Sequence, residues 1–238
     1  MPATCKHPLV SLTIIKYPRP YILFALSAMA IHRLPLMLNR RIYFWKLLGC
    51  GKGGGFSRQP DWRQWAILTS GDLIHFNTIP HEQLLKKLYG KFIAAWYRFF
   101  RCEVRTILLE PVSGHGYWDG KQPFGPLAST AMPAAPVAVL TRATIRTGKI
   151  NRFWEHVDDI SKQLHRAKGL VSSVSIGEMP LLKQATFSIW DSSESMHAFA
   201  YDAKPHTEVI KKTREERWYR EELFVRFKVL AEYGKINE

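Results

Sequence analysis

Residues 79–87 read IPHEQLLKK and residues 204–212 read KPHTEVIKK. Each has Pro-His, two polar residues, two aliphatic residues and two lysines. A repeated unit constrains a fold strongly, because both copies must form the same elements and bury the same faces. The likeness continues in order. After the first stretch come Trp96-Tyr97-Arg98 and then Val104-Arg105 inside VRTILLEP. After the second come Trp218-Tyr219-Arg220 and then Val225-Arg226 inside VRFKVLAE. Upstream, RQWAIL from Arg63 lies opposite KQATFS from Lys183, and VSLTIIKY from Val10 lies opposite VAVLTRAT from Val137. Matches in this order mark a duplication. Residues 8–113 and 136–232 read as two copies of one unit. Residues 114–135 between them are rich in Gly, Pro, Ala and Ser, a linker composition. Tyr117, Trp118 and Phe124 are expected to pin that linker to the body.

The second copy shows its elements most plainly. Val137–Thr144 is a short β-rich run. Asn151–Ala167 has helical spacing in Phe153, Trp154, Val157, Ile160 and Leu164, and Gly169 follows as a stop. Leu170–Ile176 and Ala185–Trp190 are strands, and Asp191-Ser192-Ser193 suits a helix N-cap. Met196, Phe199 and Ala200 mark one helix face. A further helix starts at Pro205, and Leu223–Leu230 is the last strand. The order β-α-β-β-α-β is the ferredoxin-like unit. Its sheet carries helices on one face only, so the other face needs cover, which a second copy supplies. The expected fold class is α+β: two tandem ferredoxin-like units packed sheet to sheet as a fused dimeric α+β barrel.

Charge narrows the partners. Lys and Arg number 34 against 20 Asp and Glu, a net +14. Such a chain favours anionic partners: nucleic acid, an acidic membrane surface or an acidic protein. A basic solvated surface is the plainer reading. Cys5, Cys50 and Cys102 have neither metal-ligand spacing nor an even framework, which suggests a reducing compartment without structural disulfides. The apolar run YILFALSAMAI (Tyr21 to Ile31) is too short to span a bilayer. It starts too far in, and lacks the cleavage site, for a signal peptide. It reads as a buried helix, with a membrane-facing helix as the second reading.

Few residues suggest chemistry by spacing alone. No zinc spacing, P-loop ending or catalytic triad is present. GCGKGGGF at 49–56 reads as a flexible loop between strands, whose glycines could let backbone approach a ligand. On the strand ATFSIW, alternation puts Thr186, Ser188 and Trp190 on one side and Ala185, Phe187 and Ile189 on the other. The Thr-Ser side either binds a group or faces solvent. His206, near the start of its helix, lines up with Val209, Ile210 and Thr213 and should point inward. An inward imidazole is a core histidine, a general base, or a metal or haem ligand.

FWKLLGCGKGGGF, YWDGKQPF, VAVLTRATIR, IGEMPLLKQATFSIW and HAFAYDAKPHTEVIKKTREERWYREELFVRF resemble the spheroidene monooxygenase family, from about Val10 to Leu230. The resemblance implies a b-type haem and its iron. It implies O2 and electrons from a ferredoxin-type donor. It also implies oxidation of an apolar, acyclic carotenoid near its end, first to an alcohol and then to a ketone. The same fold class hosts aldoxime dehydratases and haem-degrading monooxygenases. In the latter, a histidine near the start of the last helix binds iron, and His206 is similar in position. The resemblance thus points to His206 as the metal ligand, with Phe187, Trp190, Phe199 and Ile210 around the haem. Arg142, Gln184, Thr186 and Ser188 are the candidates for handling bound oxygen, chosen by strand direction. His81 is expected to be structural or surface-exposed, since one protein ligand suffices where oxygen binds opposite.

Two alternatives accompany this expectation. One is a haem enzyme of the same fold with lyase chemistry like aldoxime dehydratase. The other is a non-catalytic basic module. Specific RNA binding is not expected, because the signature on the central strands is absent. The expected location is cytoplasmic, with peripheral contact at the inner membrane face as an option. The basic surface would suit an acidic electron donor or an anionic membrane.

Overall fold

In each strand, side chains alternate between two faces, and here both faces are buried over much of the sheet. The computed structural model describes residues 8–53, 57–72, 79–128, 131–132, 135–202, 212–213 and 215–237, without the side chains of 157–160 and 201–202. The first copy runs β1 (Leu9–Lys16), α1 (Ile22–Ile31), α2 (Arg33–Leu38), β2 (Ile42–Gly51), β3 (Pro60–Gly71), α3 (His81–Phe99) and β4 (Glu103–Gly116). The second runs β5 (Val137–Ile145), α4 (Ile150–Arg166), β6 (Leu170–Met179), β7 (Lys183–Trp190), α5 (Ser193–His197) and β8 (Tyr219–Gly234).

The strands close into a barrel in the order β1-β3-β2-β6-β7-β5-β8-β4. Each half keeps the strand order of one ferredoxin-like unit. The halves join along a long seam, from Arg105↔Gly234 to Gly116↔Leu223. The second seam is short: Gly49↔Gly177 and Cys50↔Ile176. The fold is therefore the expected fused α+β barrel. Its interior is solid side chain: Leu12, Leu68, Leu109, Leu140, Phe187 and Phe227 all meet there.

Local signals in the second copy behave as their chemistry requires. Ser192 caps α5, its Oγ accepting the Ser195 N–H at 3.1 Å. Gly169 adopts φ +80°, and a Cβ there would meet Asp191 Oδ1 at 2.4 Å. Phe153, Trp154 and Leu164 of α4 are buried as their spacing predicts, while the Val157 and Ile160 side chains lie outside the described ones. The helix start at Pro205 lies outside the described residues, as does part of the glycine-rich loop after β2.

Two expectations are corrected. The paired strands match one residue out of step. Val10, Leu12 and Ile14 face the barrel core, as do Ala138, Leu140 and Arg142, so Val10 corresponds to Ala138 rather than Val137. Likewise Ala66 and Ala185 are both interior, so RQWAIL is also shifted by one. The YILFALSAMAI segment is also not a buried helix. Ala25 and Ala28 face the protein, while Leu23 is 74% exposed.

The segment after β4 closes one barrel end. Trp118 and Phe124 are buried within the core cluster, while Tyr117 is exposed. Around the turn at Asp119, three cations meet three carboxylates. Arg142 pairs with Glu221 and lies 3.5 Å from Asp119 Oδ1. Lys46 pairs with Asp119 and, at 2.9 Å, with Glu178. Lys183 reaches Asp119 at 2.7 Å. Glu221 accepts the Asp119 and Gly120 N–H groups at 2.8 and 2.7 Å, and the Arg142 guanidinium lies 5.3 Å from the Trp118 ring.

Burial alone would raise the Asp119 carboxyl. Hydrogen bonds and charges from Lys183 and Lys46 outweigh it and lower the group from the ordinary 3.8 to about 2. A folded-state value below the unfolded one gives stability that is present above 3.8 and lost as pH falls toward 2. Thermal melts against pH should therefore show wild type more stable than Asp119→Asn at neutral pH, with the gap closing across that acid window. A constant gap would contradict the pairing.

Candidate functional site

Alternation sorts the β7 side chains into two sets. Ala185, Phe187 and Ile189 enter the barrel core. Gln184, Thr186, Ser188 and Trp190 lie on the outer face, where Trp190 packs with Leu164 of α4 and Met196 of α5. Cross-strand register lines up the outer side chains in rows. One row is Arg226–Val139–Ser188–Ser173, and the next is Phe224–Thr141–Thr186–Ser175. This leaves a band of hydroxyls between apolar margins on a mostly covered sheet face.

The partners show which atoms remain available. Ser188 Oγ accepts the Trp190 Nε1–H at 2.9 Å, which leaves the serine proton to donate. Gln184 donates Nε2–H to the Met179 carbonyl at 3.1 Å, and its carboxamide oxygen is the other end. Trp190 and Phe199 lie 5.3 Å apart, ring to ring. Beside Phe199 a groove of about 550 Å³ opens between the end of α4 and α5, lined also by Arg166, Lys168 and Glu194.

Arg226 belongs to this face, and the sequence reading missed it. It is buried, donates to Ser113 Oγ at 3.4 Å and lies 4.8 Å from the Phe224 ring. Its Nε has no hydrogen-bond partner among the described residues. A buried guanidinium N–H without an acceptor is costly, and a bound anion would satisfy it. The signal was an arginine between Val225 and Phe227, inside the apolar run LFVRF.

Not every expected residue stands here. Phe187 lies in the barrel core, across the sheet from Trp190. Arg142, paired in register with Ala185, also points inward and belongs to the ion cluster at the barrel end. Neither shares the Ser188 face, because a strand sends neighbours to opposite sides. His206 and Ile210 lie outside the described residues. Among the described residues no cluster of His, Cys, Asp or Glu is arranged to hold a metal ion.

The first copy carries a comparable hydroxyl face, and there it is closed. Tyr89 of α3 reaches Ser11 at 3.0 Å and Thr13 at 2.7 Å. Thr13 meets Thr106 at 2.9 Å, and His81 Nε2 meets Thr106 at 3.0 Å. The His81 ring stacks on Tyr233, and burial lowers its pKa. His81 is thus a half-buried packing residue.

No family model matches the chain. Curated relatives do. A spheroidene monooxygenase of Cereibacter sphaeroides is 38% identical over 216 residues, which are 90% of this chain and 64% of that protein. A spheroidene monooxygenase of Rhodobacter capsulatus is 36% identical over 231 residues, covering 95% of this chain and 92% of the relative. The chain belongs to the spheroidene monooxygenase family. By family it is an oxidoreductase of the monooxygenase type. The chain spans just under two thirds of the Cereibacter protein's length. Among solved structures, an aldoxime dehydratase in complex with butyraldoxime superposes with a TM-score of 0.59 at 9% identity, over 98% of this chain and 84% of that one. That likeness shows the fold: this family member shares its architecture with the dehydratase.

Proposed function

We propose that this chain is a haem-dependent monooxygenase whose cofactor sits on the outer face of the second-copy sheet. It would use O2 and a ferredoxin-type electron donor to oxidise an acyclic, apolar carotenoid. The observation that carries the reaction class is the 36% identity to the Rhodobacter relative along nearly its whole length. The same face supports the location. A haem is a flat apolar group with anionic edges. Val139, Trp190 and Phe199 supply apolar contact, and Arg226 Nε, which has no partner among the described residues, suits a carboxylate. His206 would be the iron ligand, its other ring nitrogen held by an acceptor.

When bound, haem would supply the activation of O2. Each turnover puts one oxygen atom into a C–H bond and reduces the other to water, with two electrons from the donor and two protons. A second round at the same carbon gives a gem-diol, which loses water to leave the ketone. The chain's own part is positional. Ser188 and Thr186 present hydroxyls, and Gln184 a carboxamide, to steer protons and polar atoms. Trp190 and Phe199 keep water away from one margin.

The test is turnover under ¹⁸O2. The haem-loaded protein with reductant and an acyclic carotenoid should give labelled alcohol and then ketone. Dehydration of an aldoxime without net electron input, and no carotenoid product, would replace this reading with lyase chemistry.

A further inference from the structure

From the structure we infer that the helical layer of the first copy is a docking surface for an anionic lipid bilayer. The segment Arg19–Leu38 is long and apolar enough to cross a membrane by composition, and only 22% of its most apolar window is buried. It does not stand as a free helix, because it lies against the protein. Ala25, Ala28, His32 and Leu36 face inward. Asn39 Nδ2 donates to the Leu88 carbonyl at 3.1 Å, and His32 Nδ1 meets the Tyr97 hydroxyl at 3.3 Å.

The order of side chains is the reverse of an ordinary surface helix, which buries its large apolar residues and shows polar ones. In α1 Ala25 and Ala28 are buried, while Leu23, Phe24, Leu26 and Ile31 are 74%, 45%, 39% and 41% exposed. In α2, Leu34, Met37 and Leu38 are 58%, 66% and 68% exposed. The patch continues onto α3. Phe24 and Phe99 both pack on Phe100, at 4.7 and 4.9 Å, and Phe99 is 78% exposed. Scattered exposed leucines are normal, but a contiguous apolar surface of this extent marks an interaction site.

Charge selects the occupant. Arg19, Arg33, Arg40 and Arg41 rim the patch, and no Asp or Glu precedes Asp61 in the sequence. Exposed Lys91 and Arg101 border it from α3 and its end. An apolar centre with a purely basic rim on α1 and α2 fits lipid tails beneath anionic headgroups. A second copy fits poorly, because a two-fold contact would bring the same arginines together. The inference rests on this surface alone and needs neither the haem nor the carotenoid.

The test is co-sedimentation of the full chain with phosphatidylcholine vesicles, with and without phosphatidylglycerol. Binding is expected with phosphatidylglycerol, to weaken at high salt, and to be slight without it. The variant Leu23→Glu/Leu34→Glu/Met37→Glu alters only exposed side chains, so its melting curve should match wild type while vesicle binding falls roughly tenfold or more. Arg40→Glu/Arg41→Glu should lose the phosphatidylglycerol-dependent part. No binding to phosphatidylglycerol vesicles, or equal binding by the triple variant, would overturn the inference. So would a wild-type dimer in sedimentation that the triple variant converts to monomer, because the occupant would then be a second copy.

Discussion

His206→Ala should remove or shift the Soret band of the haem-loaded protein and lower carotenoid turnover on the order of 100-fold or more. Even supporting partners of a metal-binding histidine typically cost tenfold to 100-fold when removed. The matched control is His81→Ala. His81 is already engaged, hydrogen-bonded to Thr106 and stacked on Tyr233. Its loss should cost about 1 kcal/mol of stability and leave the spectrum unchanged. The reverse result, with His81→Ala bleaching the protein, would move the site to the first copy. The fold would be untouched.

Arg142→Met should lower stability by about 3 kcal/mol, near the lower end for breaking a buried ion pair. Two effects set that size. Arg142 is 1% exposed and faces Glu221, Asp119 and Glu178, so its removal leaves carboxylates uncompensated. Lys46 and Lys183 still serve Asp119 and Glu178, and Glu221 keeps two backbone N–H donors. For a chain of this length the melting temperature should fall by about 10 °C. The haem spectrum should survive below the melt. Unchanged stability with lost turnover would instead place Arg142 in the reaction, where strand direction first suggested it.

The duplication was legible because both copies keep Pro-His, Trp-Tyr-Arg and their order. The register was not. A strand has a period of two, so a slip of one residue exchanges its faces. In VAVLTRATI both faces are largely buried, so no polar alternation fixes the phase. That ambiguity put Arg142 beside Ser188, when Arg142 shares the core side with Leu140 and Ala185. Phe187 and Trp190 were already sorted to opposite sides by alternation, and only the expected haem site put them together. Thr186, Ser188 and Trp190 were sorted correctly because a hydroxyl-bearing side stands against an apolar one. Arg226 carried a signal of its own, a charge inside FVRFKV. The YILFALSAMAI run could not be placed from composition, because a helix apolar all round suits either a core or a bilayer. Only the structure shows that Ala25 and Ala28 face inward.

Haem binding by the second copy is tested most directly by an optical titration of the purified protein with haem, followed by reduction and carbon monoxide. Saturation at a single equivalent, with a Soret band that shifts on reduction and again with carbon monoxide, is the predicted result. A protein that stays colourless after gel filtration, with no saturable uptake, would contradict it.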